Sequence, residues 1–234
     1  MVTKELRNQR IVTLIIGLSL LMMAFAAFFA TGVVNERLIV QGDPHTTYQH
    51  IVTSQVLFKI GIACWLVILI TDIVVSWGFY IVLRPINKSL SLLGAWFRLL
   101  YTAILAIAIL HLLMVLLLTS TEGLIGTEQT PLHTMFYLQT FDAVWNFGLI
   151  IFGIHLLIVG YIAFQSSVIP KIISILLLLA SVGYIVIQLC ITFFPEWDGF
   201  LSILEFIFIL PMIAGELGFG LWLLFKGGKV FIRS

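Results

Sequence analysis

The chain alternates long apolar runs with short polar breaks, and the runs set its architecture. Six stretches, approximately 11–34, 53–83, 94–118, 141–164, 169–193 and 201–225, are almost free of charge. Each is as long as the ~20 mostly apolar residues that cross a bilayer as a helix. Helices in lipid can be apolar all round, so periodicity adds little. A closed barrel needs short alternating strands, and the sequence has none. The pattern predicts an all-α, six-helix transmembrane bundle, because backbone in lipid must satisfy its own hydrogen bonds. Residues 1–234 read as one integral membrane domain, with short inner turns and two longer outer loops.

Composition agrees. Apolar residues make up 61% of the chain and charged residues 10%, with a mean hydropathy of +1.16. Too few charges remain to clothe a soluble core. Lys4, Arg7 and Arg10 precede the first run, and Ala24-Phe25-Ala26 resembles a signal cleavage site. The run nevertheless continues to Val34, beyond the ~7–15 residues of a cleavable core. A retained first span is expected.

Lysine and arginine positions predict orientation. One side collects Lys4, Arg7, Arg10, Arg84, Lys88, Arg98, Lys171, Lys226, Lys229 and Arg233. The other holds Arg37, with Lys59 set aside. Both termini are then expected in the cytoplasm, in the cytoplasmic (inner) membrane of a bacterium. Trp77, Tyr80, Trp96, Tyr161 and Trp222 fall near the inner boundary, where amphipathic rings are favoured. Arg84-Pro85 and Ile169-Pro170 mark inner turns, since the residue before proline leaves the helix. Scattered basic residues of this kind are explained by topology and exclude nucleic-acid binding.

The outer loops, Asn35–Val52 and Thr119–Thr140, contain His45, His50, His133, Glu36, Asp43, Glu122 and Glu128. His45 and His50 have the spacing of half a zinc pair, and they read as solvated loop histidines. Cys64 and Cys190 lie within apolar runs and read as small buried hydrophobes.

Ionisable groups at membrane depth are the informative residues, because placing one there costs ~2.5–3.5 kcal/mol on insertion scales. Counting ~1.5 Å per residue from the inner helix ends sorts them by height. Lys59 falls ~36 Å up and is expected to snorkel at the outer interface. Glu205 and Asp142 lie near the outer boundary. His111 lies ~26 Å up, and Arg98 sits within two turns of the inner boundary, where its side chain reaches headgroups. Asp72 at ~16 Å and His155 and Glu216 at ~14 Å share one level. They predict a buried polar cluster of Asp72, His155 and Glu216, with Arg98 as charge partner for one of the acids. Lys59, His111 and Arg84 are secondary candidates.

On the fourth run, Asn146, Gly153 and Gly160 recur every seven residues and predict close packing against a neighbour. His155 points away from that stripe, so this helix should have neighbours on two sides. Glu205 and Glu216, eleven residues apart, lie on one face unless Pro211 kinks the helix between them.

Several short motifs add a resemblance. These are Leu57-Phe58-Lys59, Leu83-Arg84-Pro85-Ile86-Asn87, Trp96-Phe97-Arg98-Leu99 and Phe152-Gly153-Ile154-His155-Leu156 with Gly160-Tyr161. Val168-Ile169-Pro170, Gly183-Tyr184 and Gly215-Glu216-Leu217 with Leu221-Trp222-Leu223-Leu224 continue the set. Over most of its length the chain resembles a group of bacterial multi-pass membrane proteins catalogued as domain of unknown function 4386. Members often carry arginine where Lys59 stands, and an aspartate like Asp72 follows in the same helix. The resemblance implies that Asp72, Arg84, Arg98, His155 and Glu216 match family positions, and it implies no activity.

Three function classes follow. A proton-linked or small-solute transporter is suggested by acids and a histidine at the midplane. A lipid-binding, sensory or partner-stabilising bundle would use the same groups to fix helix register. A metal-dependent membrane enzyme would use Asp72, His155 and Glu216 as ligands, though no H-E-x-x-H spacing supports it. His111 and His155 differ by ~12 Å in height, which excludes them as a haem pair. No cofactor and no catalytic residue is predicted. The expected partners are the bilayer and a small solute, proton or lipid.

Overall fold

A computed structural model describes residues 2–120, 128–194 and 196–227, with the side chains of residues 2–8 and 198 outside the description. Lys4, Arg7, Glu122, Lys229 and Arg233 of the charge pattern are therefore not among the described side chains. The described residues are helical with short connections, and six helices are long and apolar enough to cross a membrane.

The first, α1 (Val2–Phe29), continues through a π-helical segment, Ala30–Asn35, into a single turn, α2 (Glu36–Leu38). A short helix, α3 (Pro44–Thr53), follows. The long helices are α4 (Gln55–Leu83), α5 (Lys88–Ser120), α6 (Thr130–Gln165), α7 (Lys171–Phe193) and α8 (Asp198–Trp222). The last runs into a second π segment, Leu223–Gly227.

Two stretches that read as loop are helical, and their caps explain it. Asp43 is the N-cap of α3, accepting from Thr46 N at 3.0 Å and Thr46 Oγ1 at 2.6 Å, with Pro44 at the first helical position. Residues 130–140 form the first turns of α6, although their mixed polarity hides the helix from a hydropathy reading. At the opposite ends of the helices, Asn87 Oδ1 accepts from Leu90 N at 3.0 Å and starts α5 at Lys88, six residues earlier than the apolar run suggests. In the next turn, Ser166 Oγ accepts from Val168 N at 3.1 Å and from Ile169 N at 3.4 Å.

The hydrogen bonds from Thr46 hold the Asp43 carboxyl below its ordinary value of 3.8. A depressed folded-state value means that the cap stabilises α3 above that pH and releases it as pH falls through the lowered value. Protection of the Thr46 and Thr47 amides against exchange, relative to their intrinsic rates, should therefore fall as pH drops through that lowered value. In Asp43→Ala it should be low at neutral pH as well. Equal exchange in both proteins would remove the cap from the account.

By packing, the chain forms two compact units. The second contains residues 23–70 and 103–145. Its core includes Trp65, which meets Phe141 edge-on at 5.0 Å and Trp145 at 4.7 Å between ring centroids. Gln55 Nε2 donates to Thr119 O at 3.3 Å between α4 and α5.

The first unit contains residues 1–22, 71–102 and 146–234, and takes segments of all six long helices. Successive helices there pack side by side and return to the start. Gly78 of α4 receives Ile16 of α1, and Ser76 Oγ of α4 donates to Ala95 O of α5 at 2.8 Å. Gly94 of α5 receives Ile158 of α6, and Gly153 of α6 receives Ile185 of α7. Gly183 of α7 receives Phe208 of α8, and Gly220 of α8 receives Leu20 of α1. Small residues at these crossings let backbones approach without a hydrophobic force between helices in lipid. Gly153 shows how tight this is: an added methyl would lie 3.1 Å from Ser181 O and 3.2 Å from Ile185 N, both backbone atoms. The neighbour expected for the Gly153–Gly160 stripe is therefore α7, since Gly160 also abuts Leu178.

Candidate functional site

The polar centre of this unit begins with Arg98. Its side chain is fully buried, as are those of Asp72 and His155. Arg98 lies ten residues from the start of α5, a rise of about 15 Å. Asp72, His155 and Glu216 lie ten to eleven residues from the corresponding ends of α4, α6 and the α8 π segment. The four residues thus occupy one level. The expectation that Arg98 reaches headgroups is corrected, because the Asn87 cap lengthens α5 beneath it.

Arg98 Nε donates to Asp72 Oδ1 at 2.8 Å, and Nη2 approaches the same oxygen at 2.5 Å. Of the two acids expected to compete for this arginine, Asp72 forms the ion pair. Its other oxygen, Oδ2, is buried with no hydrogen-bond partner among the described residues. Arg98 Nη1 lies 3.2 Å from His155 Nε2. Guanidinium has donors only, so Nε2 must accept. The ring proton then resides on Nδ1, which donates to Gly94 O at 2.8 Å. His155 is thereby fixed as a neutral tautomer by its partners. Both ring nitrogens are occupied.

Aromatic rings enclose the cation. The Arg98 guanidinium carbon lies 5.2 Å from the Phe152 centroid and 5.7 Å from that of Phe79, within cation–π range. Phe79 also stacks on His155 at 5.9 Å and on Phe219 at 5.4 Å. This apolar shell lowers the local dielectric around the pair and strengthens its attraction.

Glu216 is half-buried on α8, and its Oε1 accepts from Tyr184 OH at 3.3 Å. It shares a small pocket with Arg98, walled also by Leu20, Phe79, Leu156, Val159, Leu177 and Phe219. These residues come from all six helices of the ring. The pocket has room for about one water.

Sequence reasoning did not single out Tyr184, Phe79, Phe152 or the Gly94 carbonyl as parts of this site. Tyr184 and Phe152 stood within the quoted motifs, which was the available signal. The secondary candidates lie elsewhere. Arg84 is exposed at the C-terminal end of α4. Lys59 is exposed in the second unit, where a snorkelling role is consistent with its position. His111, also in that unit, has Nδ1 3.1 Å from Ile107 O on its own helix. Glu205 is exposed on α8 and does not share the Glu216 pocket. Among the described residues, no group of three or more His, Cys, Asp or Glu side chains could hold a metal ion.

Six apolar helices around a buried arginine–aspartate–histidine network define a multi-pass membrane protein in contact with the bilayer. The chain belongs to the family described as Domain of unknown function (DUF4386), whose model matches residues 15–227. It is also similar to an uncharacterized protein of Archaeoglobus fulgidus, 30% identical over 163 residues that cover 70% of this chain and 81% of that protein. No solved structure matches the chain.

Proposed function

We propose that the protein is a proton-linked carrier of a small solute, in which the pocket between Arg98 and Glu216 is the working part. The observation that carries this reading is the Asp72 carboxylate. Both arginine donors bind one oxygen, while Oδ2 has no partner among the described residues. A proton taken there would neutralise the acid and weaken its hold on Arg98. With that hold weakened, the guanidinium charge would be shared with Glu216, which lines the same pocket. Acids and histidines at membrane depth commonly serve such relays. As it stands the pocket has room for about one water, enough for a proton relay between the two residues.

A second reading has a specific observation in its favour. His155 uses both ring nitrogens and the ion pair is fully enclosed, so the network could serve only to lock helix register. A metal-enzyme reading gains nothing from this geometry, because His155 has no nitrogen left for a ligand bond.

Proton movement into liposomes holding the purified protein distinguishes the first two readings. Collapse of a pH gradient faster than in protein-free liposomes supports the carrier. Equal rates with folded protein favour the register lock.

The orientation we infer has both termini in the cytoplasm and the chain in the cytoplasmic membrane, from nine flanking basic residues against one once the buried Arg98 is set aside. Gln41→Cys should then react with an impermeant thiol reagent on intact cells, and Arg84→Cys should not. The reverse labelling would invert the topology.

A further inference from the structure

A proton that reaches Glu216 needs a route, and α7 carries a line of polar groups that ends on this acid. Tyr184, whose hydroxyl donates to Glu216 Oε1 at 3.3 Å, lies in the middle of the helix. Gln188 stands four residues nearer the C-terminal end, one turn on along the same face. It is only 7% exposed while its neighbour Leu189 is exposed, so the amide points into the protein. Thr192 follows after one more turn, at the end of α7, and is exposed. The other inward positions, Leu177, Ala180 and Ile187, are apolar, which makes the polar line narrow.

The facing helix adds to it. Gly160 of α6 meets Leu178 of α7, and Gly153 meets Ile185, seven residues on along each helix. The next such step sets Asn146 opposite Thr192, one turn beyond Gln188. The hydroxyls of α7 are satisfied within their own helix: Ser181 Oγ donates to Leu178 O and Thr192 Oγ1 to Gln188 O, both at 2.7 Å. The amides are not. Among the described residues, Gln188 Oε1 is buried without a partner and the Asn146 side chain makes no hydrogen bond. Amides that served to glue α6 to α7 would pair with each other, and these do not. A buried amide oxygen left dry is costly, and polar groups of this kind are the ones that hold internal water.

We propose that Gln188 binds water in a narrow hydrated line along α7, which delivers protons to Glu216 from the C-terminal end of that helix. The inference rests on the carrier reading and supplies its entry route. Gln188 Oε1 accepts a hydrogen bond from a water, and Asn146 with Thr192 holds the next water toward the helix end. A hydronium on this line gives its proton to the Glu216 carboxylate: one O–H bond breaks at the water, one forms at the acid, and neutral water remains. Tyr184 orients the receiving carboxylate through Oε1.

The test has two arms. In the full chain with Cys64 and Cys190 changed to alanine, Gln188→Cys and Leu189→Cys are each treated in detergent with a small cationic methanethiosulfonate. The thiolate is the reacting form, so Gln188→Cys on a wet line should react at least about tenfold faster than Leu189→Cys on the apolar surface. In liposomes, Gln188→Leu should lower proton flux about tenfold, the scale of one hydrogen bond lost from the path. Gln188→Asn, which keeps the amide, should retain most of the flux. Equal reaction of the two cysteine variants overturns the proposal, as does undiminished flux in Gln188→Leu or an equal loss in Gln188→Asn. Flux in the native chain with an unreactive Gln188→Cys removes this route and leaves the carrier standing. A reactive Gln188→Cys in a chain without protein-dependent flux overturns the carrier, and proton delivery with it. If Gln188→Cys does not fold, the flux of Gln188→Leu against Gln188→Asn decides.

Discussion

Arg98→Ala is expected to destabilise the folded protein by about 3–5 kcal/mol, the usual cost of removing one partner from a buried ion pair. The loss has three sources. Asp72 is left fully buried without its cation and either stays charged away from bulk water or takes up a proton, at a cost in both cases. His155 Nε2 loses the Arg98 Nη1 donor that it accepts from. Phe79 and Phe152 lose the guanidinium between them and a void opens in their place. The double variant Arg98→Met, Asp72→Leu should recover much of this stability, because it removes both charges and refills the volume. Thermal unfolding in detergent, followed by loss of the monodisperse peak, reads both effects. Equal stability of Arg98→Ala and the native chain would mean that the pair contributes nothing to folding. No recovery in the double variant would place the arginine's contribution in packing rather than charge.

The second large effect is functional. Glu216→Gln should leave stability nearly unchanged and lower proton flux on the order of 100-fold, the scale of losing a positioned proton-transfer group. Glutamine keeps the shape of the side chain and still accepts from Tyr184 OH, so the contact at 3.3 Å survives. It cannot carry a proton through the pocket that Glu216 shares with Arg98. Tyr184→Phe removes only an orienting hydrogen bond and should have a smaller effect. Initial rates of pH-gradient decay in liposomes compare the three. A Glu216→Gln rate equal to the native rate would exclude this carboxyl from the path.

Much of this architecture was legible because the bilayer is a demanding solvent. It forces every span to be helical and apolar, so six runs read directly as six helices. It also makes each deep ionisable residue conspicuous, which is why Asp72, His155 and Glu216 could be placed at one level by counting residues. Arg98, expected as charge partner for one of the acids, was misjudged only in its height. Lys88, Ser89 and Ser91 look like loop, and only the cap from Asn87 shows that they begin a helix. The same blindness to caps hid α3, although Asp43-Pro44 is a readable start signal. Angular position could not be read without neighbours. That His155 meets α5 rather than lipid depends on how closely Gly94 lets α6 approach. The aromatic enclosure by Phe79 and Phe152 was hidden among many other rings in apolar runs, since a phenylalanine facing lipid and one facing a guanidinium look alike in sequence.

The most direct test compares proton flux through liposomes carrying the native chain and the double variant Asp72→Asn, Glu216→Gln, with folding of both checked by gel filtration. The account predicts protein-dependent flux in the first and only the leak of empty liposomes in the second. Equal flux from two folded proteins would contradict it.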